Sequence, residues 1–156
     1  MAGEIVRRIG GLERPRPPAE LREPGPRVFR PAPEVWEWAR RVVVEGGAPL
    51  ENPEHEHLQM ADVGVLWTAE PAESQMRTIV GTAEIPFPRG KPWVKARQLY
   101  QLEEWFGRVP DFLLTFYAPW ADSIDNLSWC ALVEHELYHC AQAEDEDGPR
   151  WRRDGS

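Results

Sequence analysis

Asn126-Leu127-Ser128-Trp129-Cys130-Ala131-Leu132-Val133-Glu134-His135-Glu136-Leu137-Tyr138-His139-Cys140 is the stretch on which the fold turns. Long, without Gly or Pro, and apolar on several sides, it reads as a buried helix running from Asp125 to about Ala143. Asp122 or Asp125 supplies the N-cap. Within it stands His135-Glu136-Leu137-Tyr138-His139, an H-E-x-x-H pattern. Residues i and i+4 lie ~40° apart around a helix and one turn apart along it. Both imidazoles therefore face one spot and can bind one metal ion, with Zn–N at about 2.0–2.1 Å. Glu136 is rotated by ~100° from His135, so it reaches a water beside the metal without taking a ligand position. Two histidines and a glutamate on a buried helix need their polar groups satisfied, and a metal ion does this.

Working outward, Pro33 to Glu45 opens with Pro and stops at Gly46-Gly47, which predicts a helix. A polar loop, Ala48 to Gln59, follows. Met60 to Thr68 and Arg77 to Ile85 read as strands rich in β-formers. Pro86, Pro88, Gly90 and Pro92 punctuate a loop. Trp93 to Phe106 has helical apolar spacing and is stopped by Gly107; Asp111 to Tyr117 is a third strand, ended by Pro119. The order α-β-β-α-β-α predicts an α+β fold, a small mixed sheet of about three strands backed by helices. If the strand 111–117 is a sheet edge, an extended peptide could pair with it.

The chain has 156 residues, enough for one domain. Its longest nearly apolar run, Phe112 to Ala121, is short of the ~20 residues that span a bilayer. The first eight residues show no apolar signal-peptide core. The formal net charge of −8 argues against general binding to nucleic acid or anionic membrane. The charge is uneven. Residues 1–33 hold seven Arg against four Glu, and seven of the 16 Pro. Such a segment has little apolar surface to offset its ordering entropy, so 1–33 is expected as an extended or disordered arm before a domain of 34–156. The arm is the one place from which nucleic acid contact is expected. Cys130 and Cys140 would stand about 15 Å apart on one helix, too far for a disulfide, and are expected as reduced thiols of a cytosolic protein.

Of the remaining histidines, His55 and His57 form an H-x-H pair in a Pro-flanked polar loop, where exposure is the plain reading and a ligand role the rarer one. A catalytic zinc site usually has three protein ligands. No histidine follows His139; Glu144, Asp145, Glu146 and Asp147 are the local substitutes. Glu146 lies two turns, ~10.5 Å, beyond His139, and reaches the metal only if the helix breaks and folds back. The eight Trp are mostly packing residues, with Trp120 or Trp129 placed to face a substrate; Tyr138 is expected to be packed.

The Asn126–Cys140 run resembles the phage metallopeptidase family, and the Ile79–Ala83 strand, the Trp93–Phe106 helix and the Asp111–Tyr117 strand are similar in order and spacing. The resemblance covers roughly residues 57–147. It implies a minimal zincin-like fold, a Zn2+ ion, and a phage- or prophage-encoded protein in a bacterial cytoplasm. His135 and His139 would be metal ligands and Glu136 the catalytic base. Glu134 departs from the usual uncharged residue before the first His. The resemblance also implies a third ligand, a His in a Gly-His-Asp-like context, on a segment beyond the point where this chain stops. The expected reaction is hydrolysis of a peptide bond in a protein or peptide substrate, by a metal-activated water with Glu136 as general base. The other reading is a catalytically idle zinc-binding or partner-binding module that engages a host or viral protein. No membrane partner is expected.

Overall fold

The computed structural model describes residues 14–25, 27–44, 58 and 61–147, with side chains as far as Cys140 in the last helix. The expected α+β architecture is present. A four-stranded sheet has the order β1 (Phe29–Pro31), β2 (Val63–Thr68), β6 (Phe112–Tyr117), β5 (Gly81–Glu84). β2 and β6 run parallel, from Val63 opposite Phe112 to Thr68 opposite Tyr117; β1 and β5 are antiparallel to their neighbours. A small hairpin, β3 (Glu73–Ser74) with β4 (Arg77–Thr78), stands apart from this sheet. The helices are α1 (Pro33–Ala39), α2 (Pro92–Phe106), α3 (Ala118–Ser123) and α4 (Asn126–Asp147).

The elements follow local chemistry. Pro33 opens α1, which widens into a π-helical turn over Arg40–Val44. Pro92 opens α2, and Gly107, at φ 74°, closes it in the left-handed conformation, donating its N–H to Glu103 O at 2.7 Å. Asp125 caps α4, accepting the Ser128 N–H at 2.7 Å. A polar clamp aligns the starts of the two parallel strands. Asp62 N–H donates to Asp111 Oδ2 at 2.9 Å, Asp111 N–H donates to Asp62 O at 2.7 Å, and the Arg108 guanidinium forks onto the Asp62 carboxylate.

The two faces of the sheet carry separate cores. Alternation along β2 and β6 sends Val63, Val65, Trp67, Phe112, Leu114 and Phe116 to the side covered by α1 and α4. Leu66 and Leu113 point to the other side, where Leu102, Trp105 and Phe106 of α2 cover them. Trp129 of α4 is fully buried in the first core, with ring centroids 6.0 Å from Trp38, 5.6 Å from Trp67 and 5.2 Å from Phe116. It is therefore a packing residue, not one facing a substrate.

Several expectations need correcting. The expected strand over 77–85 is two pieces, one in the hairpin and one in the main sheet, and β1 and α3 add elements to the expected order. The strand at 112–117 is interior, bonded to β2 on one side and β5 on the other, so it offers no free edge; among the described residues β5 is the edge strand beside it. The described part of segment 1–33 is extended but not free. Leu21 is buried, β1 joins the sheet, and the Arg14 guanidinium donates to Ala121 O (3.1 Å), Ile124 O (2.8 Å) and Asn126 Oδ1 (2.9 Å). These polar contacts, together with burial of Leu21 and Ala32, hold a segment whose composition argued against packing.

Candidate metal centre

α4 lies across the sheet edge, packed against β5 and burying Trp129, Cys130, Leu132, Val133, Leu137 and Cys140. Its remaining face carries His135, Tyr138 and His139, all exposed. The helical spacing brings the two imidazoles together: their Nε2 atoms are 3.0 Å apart and their rings meet edge to face at 82°, centroids 4.5 Å apart. Glu136, on the adjoining face, is buried at 4 % exposure. Its carboxylate turns toward β5, with Oε2 3.0 Å from where a Cβ on Gly81 would stand. A Cβ there would press on that carboxylate, so glycine at 81 gives it room beside the strand.

The electrostatics follow from this burial. Desolvation pushes the Glu136 carboxyl above its ordinary value, and the nearby His135 and His139 pull it partly back. Glu134 is also raised by burial. Cys140, a neighbour in sequence of His139, is driven up to about 12 by its apolar surroundings and Cys130 up to about 11, so both are inert packed thiols.

Two imidazoles on one tetrahedral ion at about 2.05 Å stand about 3.3 Å apart. The observed 3.0 Å is within a few tenths of an ångström of that separation. Their exposure leaves the ion side open, so the donor pair fits Zn2+. A third ligand is a different matter. Among the described residues, no group of three or more His, Cys, Asp and Glu side chains converges to hold a metal ion. α4 continues as helix to Asp147, so the break that would fold Glu146 back is not taken. His55 and His57, and the side chains of Glu144, Asp145, Glu146 and Asp147, lie outside the described residues.

Two features of this site were not anticipated. Tyr138, expected to be packed, is 43 % exposed, because position 138 falls on the same helix face as the two histidines. Gly81 was read only as a strand residue; a glycine inside the expected strand 77–85 is itself the mark of a close approach, here by Glu136.

No helix among the described residues is long and apolar enough to cross a membrane. Comparison with known proteins finds no match among curated proteins and none among solved structures. A family model described as "Putative phage metallopeptidase" matches residues 32–156, a span that takes in β2 to β6 and α1 to α4, the H-E-x-x-H helix among them. The chain belongs to this phage metallopeptidase family.

Proposed function

We propose that the chain is a zinc-dependent peptidase whose metal is held by His135 and His139 and whose general base is Glu136. The observation that carries this reading is the pair of exposed imidazoles, Nε2 atoms 3.0 Å apart, beside a buried carboxylate on the next helix face. A Zn2+ ion bound there supplies Lewis acidity, lowering the pKa of water toward ~7 and polarising the scissile carbonyl. Glu136 takes a proton from the attacking water on its carboxylate and passes it to the leaving amine. Burial suits it to that task, since a carboxyl raised above its ordinary value is a stronger base once ionised. β5 runs beside this carboxylate with one side unpaired among the described residues, so an extended peptide adds to it as a further strand and presents its backbone to the site.

The catalytic machinery then lies within residues 34–156, with 1–33 as an extended basic companion, and the place of action is the cytoplasm of a bacterial host. The test is metal content by mass spectrometry together with hydrolysis of a denatured protein substrate, for the wild-type chain and Glu136→Gln. About one zinc per chain in both, with hydrolysis lost only in Glu136→Gln, is the expected result. A chain without zinc sinks the reading. The absence of a converging third ligand among the described residues favours one other reading, a zinc-holding module that binds a host or viral protein. In that case Glu136→Gln changes nothing.

A further inference from the structure

The sheet face opposite the histidines carries a second concentration of chemistry. Between Ile85 and Leu102 there are four basic residues, Arg89, Lys91, Lys95 and Arg97, and no acidic one, in a chain of net charge −8. Both lysines of the chain are here. All four side chains are exposed, and none has an ion-pair partner among the described residues. Four described arginines of the N-terminal segment differ: Arg14 and Arg16 are engaged by backbone carbonyls at 121–124, Arg22 by Asp122 and Arg27 by Glu70.

Interleaved with these cations are two bare aromatic rings. Trp93 is 90 % exposed and Tyr100 65 %. With Arg97 they occupy positions i, i+4 and i+7 of α2, one outward stripe, the two aromatic Cα atoms about 10.5 Å apart. The platform is rigid. Leu102 anchors α2 in the second core. The preceding loop is pinned to the helix by Gln98, whose Oε1 accepts from Arg89 N–H at 2.8 Å and whose Nε2 donates to Arg89 O at 3.1 Å.

We propose that the Trp93–Arg97–Tyr100 face of α2, flanked by Arg89, Lys91 and Lys95, binds single-stranded nucleic acid. Every base has a π face to stack on an exposed ring, and phosphates meet the four free cations. An acidic protein segment would use the cations and leave the rings bare. A lipid surface fits less well, because Arg97 sits between the rings and no large aliphatic side chain of α2 is exposed with them. The overall acidity does not forbid it: at physiological salt the field falls off within about 8 Å, so the local patch governs contact. The surface faces away from the histidine pair, so both sites can be filled at once.

The test is fluorescence anisotropy of a labelled dT20 oligonucleotide with the full chain between 50 and 200 mM salt. Up to four neutralised phosphates predict a slope of log K against log salt of about −2 to −3. Trp93→Ala and Tyr100→Ala each weaken binding about tenfold. The double variant Lys91→Glu/Lys95→Glu removes it, and Arg7→Glu/Arg8→Glu leaves it intact. All these α2 positions are exposed, and matched thermal melts exclude misfolding. No binding at 50 mM salt overturns the proposal. So does equal affinity for a duplex of the same length, loss in the Arg7/Arg8 variant alone, or Trp93-dependent binding to phosphatidylserine vesicles without binding to dT20.

Discussion

Arg14→Met keeps the aliphatic stem and deletes the guanidinium that ties the N-terminal segment to the approach to the H-E-x-x-H helix. The native group makes three hydrogen bonds, two to backbone carbonyls at Ala121 and Ile124 and one to Asn126, and lies 5.6 Å above the Trp129 ring. Bonds from a charged donor are each worth about 1.5–3 kcal/mol. Partial rehydration of the freed carbonyls and retained packing of the stem bring the loss below the sum of three such bonds, to about 3 kcal/mol in all. For a domain of this size each kcal/mol moves Tm by about 2–4 °C, so a drop of about 6–12 °C is expected by circular dichroism. Arg16→Met is the matched control. Its single 3.3 Å bond to Asp122 O is exposed, and its effect should stay within about 0.5 kcal/mol. Equal shifts for the two variants would refute the reasoning, since the segment would then be held by something other than this buried guanidinium.

Gly81→Ala places a methyl 3.0 Å from Glu136 Oε2 and 3.1 Å from Leu132 Cδ1. Both are flexible side-chain ends, so a stability loss of about 1 kcal/mol in urea titration is expected, with a larger fall in peptide hydrolysis; unchanged hydrolysis would mean the carboxylate is not held there. Asp125 is held below its ordinary value by the Ser128 N–H, so its cap stabilises fully above pH ~4 and the stabilisation is lost as pH falls through the lowered value. The Tm gap between wild type and Asp125→Ala should thus shrink from pH 7 to pH 3, and a constant gap contradicts the assignment. With thiols raised to about 11 and about 12, roughly one in a thousand Cys130 side chains, and fewer of Cys140, is thiolate at pH 8. A disulfide-exchange reagent should label neither cysteine in the native chain and both after unfolding; rapid native labelling would show that the helix face is not buried.

The parts of the fold that could be read from the sequence are those governed by local rules. Pro at the starts of α1 and α2, Gly107 at a stop and Asp125 as a cap each act through the conformation of one or two residues. The 3.6-residue period likewise set His135 and His139 side by side before any tertiary contact was known. Features that depend on distant partners were not legible. Phe29–Pro31 is a strand only because β2 lies beside it, and a three-residue strand containing Pro carries no periodic signal. The interior position of β6 is a matter of sheet order, which alternation along one strand does not encode. Tyr138 is apolar enough to suggest packing, yet its place on the helix face of the two histidines leaves it exposed. Arg14 reads as one more charge in a basic, Pro-rich run, and its partners lie more than a hundred residues away.

That last separation bears on how the molecule is made. The acceptors of Arg14 are 107 to 112 residues downstream, and the central parallel pair joins residues 49 apart. Pairings of this range close large loops and form slowly. During synthesis the N-terminal segment leaves the ribosome long before α3 and α4 exist, so its extended, charged and proline-rich composition serves a waiting chain. β1 can pair with β2 as soon as both have emerged, but the Arg14 tether closes only when α3 and the start of α4 arrive. Formation of the histidine-bearing helix and closure of the Arg14 tether are therefore both late steps, and no earlier length of nascent chain should present an assembled site.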